Sequence, residues 1–301
     1  MLEVTTYIMV KKRILVILVV FLIVINFFMN IQVGIVAKAE KLYVGGIGEG
    51  NYSSIQSAIN NTSIDDIVYV YNGKYFENIM INKSISLIGE NKENTILYGT
   101  GSNNVITIRA TSVNITGFTI QNGLISGILI ESSKDCKIFR NIIDNNIIGI
   151  KLISSKNFII TNNTISNNSE VGINITNTHT NSNVSKYNTI YLNNFIDNKN
   201  NVFDEGKKNN WSYENQGNFY DDYNGIDKNN DGIGDNSYSI AGGKNKDKYP
   251  LMMPYNGKIR LKEFYVDDES LYTMLIIGMI IVIIFLIPIA YVWYRKTRHL
   301  K

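Results

Sequence analysis

Among the 301 residues there is one cysteine, and there are three prolines, two tryptophans and two histidines. The lone thiol, Cys136, excludes an internal disulfide framework and any paired-cysteine metal site. The prolines, Pro250, Pro254 and Pro288, all lie at or beyond residue 250, so the long segment before them withholds no backbone N–H from hydrogen bonding. A surplus of one charge sign is also missing. Twenty-nine basic residues against 26 acids leave a formal charge of +3, and the Lys and Arg are scattered among Asp and Glu along the chain. No electrostatic stripe is therefore expected, and nucleic acid is not an expected partner. Between Ser102 and Lys186 there is no Tyr or Trp, which deprives that stretch of platforms on which a sugar ring stacks.

What is present is a repeat. Gly127–Ser133, Gly149–Ser155 and Gly172–Thr178 superimpose, with their glycines 22 and then 23 residues apart, and the first two copies run on into Asn-rich turns. This period is too short for a helical hairpin and suits a coil of short strands and turns. Alternation at Ile128/Ile130, Ile150/Leu152 and Ile173/Ile175 is the period of two expected of strands with one inward face. The same alignment stacks Val113, Cys136 and Phe158 in one column, and Ile115, Ile138 and Ile160 in another. Ile120, Ile143, Ile165 and Ile196 form a third, while Asn141, Asn163 and Asn194 form a structural asparagine column. The expectation is an all-β fold, a right-handed parallel β-helix, with regular coils over 102–201. On this alignment the long coil carries about nine extra residues at Thr178–Lys186, predicting a protruding loop.

A solenoid needs its ends covered. Ser53–Ile59 predicts a short amphipathic helix closing the N-terminal mouth, within a cap and first coils spanning 40–101. Strands are predicted at Ile67–Tyr71, Tyr75–Ile81, Ser84–Ile88 and Asn94–Tyr98. The C-terminal cap is assigned to 202–255, and a linker to 256–270.

The outermost segments have different chemistry. Lys11–Arg13, the apolar stretch Ile14–Met29 and Ala37-Lys-Ala39 follow the order of a secretory signal over 1–39, with translation beginning at Met1 or Met9. The same apolar run is also long enough for an uncleaved anchor. Leu271–Tyr294 contains no charged residue, and its 24 positions at about 1.5 Å each reach roughly 36 Å, enough for one transmembrane helix. Acids at Asp267–Glu269 precede it and a basic tail, 295–301, follows it. The expected topology is a single-pass membrane protein with the β-helix outside and the tail in the cytoplasm.

Several stretches carry a family likeness: Gly50–Ile59, Ile67–Asn78, Ile85–Gly89, the coils, Gly217–Tyr223 and Tyr249–Met252. Together, over nearly all of 43–255, the chain resembles NosD-type right-handed β-helix proteins, of which many are predicted at archaeal cell surfaces. The wider pectate-lyase-like superfamily includes lyases, glycosidases, carbohydrate binders, adhesins and accessory proteins for a copper enzyme, so the resemblance implies a fold and leaves function to the site.

Three kinds of chemistry have candidates. Asp227, Asn229, Asp231 and Asp235, with the Ile233 carbonyl, space hard oxygen donors as a Ca²⁺ loop does, although Tyr238 stands where an EF-hand has its bidentate Glu. On this alignment Asp144 and Asp197 share a coil position two coils apart, about 9.5 Å by stacking distance, which fits the carboxylate pair of an inverting glycosidase; solvated turn aspartates are the alternative. Copper handling would draw on His179, Cys136, Met80, Met252 and Met253, a thin donor set that makes copper an unexpected cofactor. Asn51, Asn82, Asn114, Asn174, Asn183 and Asn210 open N-x-S/T sequons suited to surface glycosylation. The leading functional expectation is a membrane-anchored extracellular β-helix that binds carbohydrate or a surface protein without catalysis. A polysaccharide hydrolase or lyase and a copper-enzyme accessory factor are the alternatives.

Overall fold

A computed structural model describes residues 39–257, apart from 102 and 178–183. The chain divides at Asn256/Gly257, and the solenoid belongs to the first unit. Three parallel sheets run along it. The first stacks Lys41–Val44, Ile67–Val70, Ser86–Gly89, Asn114–Thr116, Lys137–Phe139, Ile159–Thr161 and Thr189–Tyr191. A second sheet of seven strands begins at Gly73–Phe76 and ends at Phe219–Tyr220; a third of six runs from Ile79–Ile81 to Val202–Asp204. Each complete coil contributes one strand to each sheet, and every pairing among these strands is parallel.

Identical offsets place like residues over like residues. In the first sheet Val68, Leu87, Ile115, Ile138, Ile160 and Ile190 point inward and are fully buried. The third sheet repeats the pattern through Ile128, Ile150 and Ile173, and through Ile130, Leu152 and Ile175. Each such side chain contributes about 1.5–3 kcal/mol of burial. Gly149 reflects how closely successive coils approach: a Cβ there would lie 2.5 Å from the Gly172 carbonyl oxygen.

The corners explain the asparagines. Arg140, Asn162 and Leu192 at one corner, and Asn145, Asn167 and Asp197 at another, all have positive φ. The next residue at each corner is an asparagine whose side chain reaches the neighbouring coil. Asn141 Nδ2 donates to Asn163 Oδ1 (3.2 Å), Asn163 Nδ2 to Asn193 Oδ1 (3.0 Å), and Asn193 Nδ2 to Asn218 Oδ1 (2.9 Å). The same oxygens accept the backbone N–H of the preceding coil's asparagine. Asn146, Asn168 and Asn198 build a parallel ladder at the second corner.

These ladders correct the alignment of the long coil by one residue. Asn193, not Asn194, continues the Asn141–Asn163 column, so the coil carries eight extra residues over the 22-residue repeat rather than nine. Phe195 accordingly takes the inward place expected for Ile196, opposite Ile165. The larger ring suits that position because the aromatic cap begins there: Phe195 stacks on Tyr220 at 5.1 Å, and Tyr220 on Tyr238 at 3.7 Å. Of the extra loop, residues 178–183 lie outside the described residues.

The N-terminal strands join the same three sheets as the regular coils. The strand read across Tyr75–Ile81 is two, Gly73–Phe76 and Ile79–Ile81, in different sheets with a corner between them. A helix, Ile55–Asn61, buries Ile55, Ala58 and Ile59. Ser54 is its N-cap, and the Glu77 carboxylate accepts the N–H groups of Ile55 and Gln56 (2.8 and 3.0 Å). Among the described residues no helix is long and apolar enough to cross a membrane; residues 1–38 of the expected signal segment and the expected span Leu271–Tyr294 lie outside them.

Candidate functional site

An open groove of about 1190 Å³ lies on the corner between the second and third sheets, near the C-terminal end of the solenoid. Side-chain amides and carboxylates line it, among them Asn145, Asn167, Asn174, Asn200, Glu170, Asp197, Asp221 and Asp222, with Lys199, Phe203 and Tyr238. Stacking produces this composition. The corner needs residues that tolerate positive φ, so Asn and Asp accumulate there, and successive coils align them in rows.

One wall is fixed by hydrogen bonds. Asn201 Nδ2 donates to Asp221 Oδ1 (2.9 Å) and Asp222 Oδ1 (2.8 Å), Asp221 Oδ2 accepts the Asp197 N–H (2.5 Å), and the Tyr238 hydroxyl donates to Asp222 Oδ2 (3.1 Å). Burial, followed by the Asp222 charge, pushes the Tyr238 phenol well above its ordinary range, so it stays a donor. Asn174 differs: its Oδ1 is buried without a hydrogen-bond partner.

Asp144 and Asp197 do not form the expected pair. Asp144 is in register with Ser166 and then with Ile196, so Asp197 falls one residue later, in the positive-φ column of Asn145 and Asn167. The Asp144 carboxylate is also engaged, accepting from Ser166 Oγ (2.7 Å), Asn167 Nδ2 (2.8 Å) and Asn145 Nδ2. It is a corner clasp, not a free acid facing a partner. The Asp227–Asp235 loop is likewise closed on itself. Asp227 accepts from the N–H groups of Asp231 and Gly232, Asp231 from that of Ile233, and Asp235 from that of Lys228, while Asn229 bonds Asp231.

The soft donors do not converge. Cys136 sits in the inward column between Val113 and Phe158, where its sulfur accepts the Val113 N–H at 3.2 Å. Burial pushes its thiol up, away from the thiolate a metal needs. Met80 is exposed on the third sheet, Met252 and Met253 belong to the C-terminal cap, and His179 lies outside the described residues. Among the described residues no three His, Cys, Asp or Glu side chains are placed to hold an ion.

Two fully buried carboxylates escaped the repeat alignment. Asp247 terminates the first ladder, accepting from Asn218 N–H (2.7 Å), Asn218 Nδ2 (3.1 Å), the Tyr220 hydroxyl (3.2 Å) and, through its other oxygen, Tyr249 N–H (2.9 Å). Asp204 terminates another, accepting from Asn209, Trp211 Nε1 and Asn245. Neither recurs at the coil period, so spacing gives no signal for them.

Burial raises Asp247 to about 6, against the opposing pull of its N–H donors. A carboxyl that binds its proton more tightly when folded contributes stability that is present at low pH and lost as pH rises. Between about pH 4 and 6 this group lowers folding stability with a slope of at most about 1.4 kcal/mol per pH unit. Denaturant unfolding across that range should show Asp247→Asn removing this component from the wild-type profile.

Residues 29–225 match the family described as Periplasmic copper-binding protein (NosD). A 97-residue stretch is 38% identical to a cell surface glycoprotein of Methanothermus fervidus, covering 31% of this chain and 16% of that protein. Among solved structures, Geobacillus virus E2 ORF18 aligns at 17% identity and TM-score 0.42, over 47% of this chain and 38% of that one. Carrot pectin methylesterase aligns at 13% identity and TM-score 0.38, over 54% and 64%. The described residues do not supply the copper site that the family's description implies. With the family match spanning most of its length and the parallel solenoid laid out above, this chain belongs to the NosD family of β-helix proteins.

Proposed function

We propose that this protein is an extracellular, membrane-anchored β-helix that binds carbohydrate in the groove between its second and third sheets, without catalysis. The observation that carries the reading is Asn174 Oδ1, a buried acceptor with no partner on the wall of an amide-lined open groove. Rotation of the Asn174 side chain toward the groove would let a sugar hydroxyl supply the missing donor, and the neighbouring Asn and Asp side chains offer the mixed donors and acceptors that polyols require. Tyr238 adds an aromatic edge. The surface-glycoprotein relative and the periplasmic family description support exposure outside the cytoplasm. The uncharged stretch Leu271–Tyr294, with acids before it and bases after it, supports the anchor.

Glycan-array binding by the full chain tests the groove. Binding is expected without release of reducing ends, and Asn174→Ala should weaken it about tenfold, the worth of one hydrogen bond to a buried acceptor. Absence of binding, or sugar release abolished by Asp144→Asn, would refute this reading. Membrane fractionation tests the anchor. The full chain should sediment with membranes and resist alkaline extraction, whereas deletion of 271–301 should release it; a deleted chain that stayed bound would contradict the assignment.

A further inference from the structure

Lysines scattered in the sequence come together in the fold. Lys134, Lys156, Lys186 and Lys207 bridge one another in parallel register, one per coil, at the corner between the third and first sheets. Their sequence spacings of 22, 30 and 21 conceal this, and the expectation of no electrostatic stripe fails at this corner. With Lys208, the four corner segments 132–136, 154–158, 184–188 and 205–209 carry five lysines against two carboxylates, Asp135 and Glu205. Asp135 is already engaged, 3.7 Å from Lys134 Nζ and accepting from Asn157 Nδ2 at 2.8 Å.

Such a column works against the folded state. Rungs lie about 4.8 Å apart, and like charges at about 5 Å repel by roughly 0.8 kcal/mol per neighbouring pair even in water. Like charges directly opposite in a sheet destabilise it in the same way. A ligand with negative charges repeating along the solenoid axis would remove that repulsion. Tyr187 narrows the ligand class: the residue is 46% exposed, and its ring centroid is 5.4 Å from Lys186 Nζ and 5.5 Å from Lys208 Nζ. An exposed aromatic side chain beside two ammonium groups offers apolar and cationic contacts together, which suits a sugar ring bearing an acid. The ridge contains lysine and no arginine, so it presents point charges instead of the planar forks that favour phosphate.

We infer that the Lys134–Lys156–Lys186–Lys207 ridge binds an extended acidic polysaccharide of the uronic-acid type, laid along the solenoid axis. The ridge is at a different corner from the Asn174 groove, so the inference requires export of the solenoid but not sugar binding in that groove.

The test is a binding titration of the full chain with polygalacturonate, alongside dextran and duplex DNA. Polygalacturonate should bind, weaken steeply with added salt, and outcompete both other polymers. Replacing the four column lysines with glutamine should cost at least about tenfold in affinity. A scattered variant with the same charge change, at Lys92, Lys228, Lys244 and Lys248, should bind like wild type. Wild-type affinity in the column variant, an equal loss in the scattered variant, or tighter binding of DNA would overturn the inference. Because the column side chains lie on the outer corner, circular dichroism is expected to show both variants folded.

Discussion

The side-chain amide of a corner asparagine, bonded to the coil that follows, is the interaction on which this structure depends. A three-sided coil must turn sharply three times in little more than twenty residues. Each turn uses a residue with positive φ and leaves backbone N–H groups that no strand can pair. Asn141, Asn163 and Asn193 solve both problems at one corner. Each amide oxygen takes the orphaned N–H from the coil before, and each amide nitrogen passes a hydrogen bond to the coil after. The buried isoleucine columns supply most of the stabilising area, but they accept many apolar residues. The amides do not, and so they fix the register.

The ladders have direction. Donors point from each coil to the next, so each stack must end on a group that only accepts. The first ends on Asp247 and another on Asp204, while the second passes through Asn198 and Asn201 to Asp221 and Asp222. Carboxylates meet that requirement, and the aromatic stack of Phe195, Tyr220 and Tyr238 closes the apolar interior beside them. The C-terminal cap is therefore coupled to the coils by polar as well as apolar contacts. Its titratable component, Asp247, is part of the structural frame and not a group exposed to ligand.

Most of the fold was legible because stacked coils write their geometry at a fixed period. Ile115, Ile138 and Ile160 aligned by simple offset, and so did Val113, Cys136 and Phe158. The long coil defeated this method: with Asn193 and Asn194 adjacent, an insertion of eight or nine residues preserves an asparagine column. Only the three-dimensional bonding, together with an aromatic ring taking an isoleucine place at Phe195, distinguishes them. That single shift dissolved the Asp144–Asp197 pair, because Asp197 falls one residue beyond the register of Asp144, in the positive-φ column of Asn145 and Asn167. The lysine ridge was hidden for the same reason, since its members are brought level by coils of unequal length. The terminal acids Asp204 and Asp247 have no periodic counterparts at all.

Register is thus the claim from which the groove, the ridge and the caps all follow, and coupling energies measure it directly. A double-mutant cycle between Asn163→Ala and Asn193→Ala, read by denaturant unfolding, should give an interaction energy of about 1 kcal/mol or more, because the two amides are bonded to one another. The corresponding cycle with Asn194→Ala should be close to additive, since Asn194 bonds Tyr255 instead. Strong coupling to Asn194 with none to Asn193 would contradict the account.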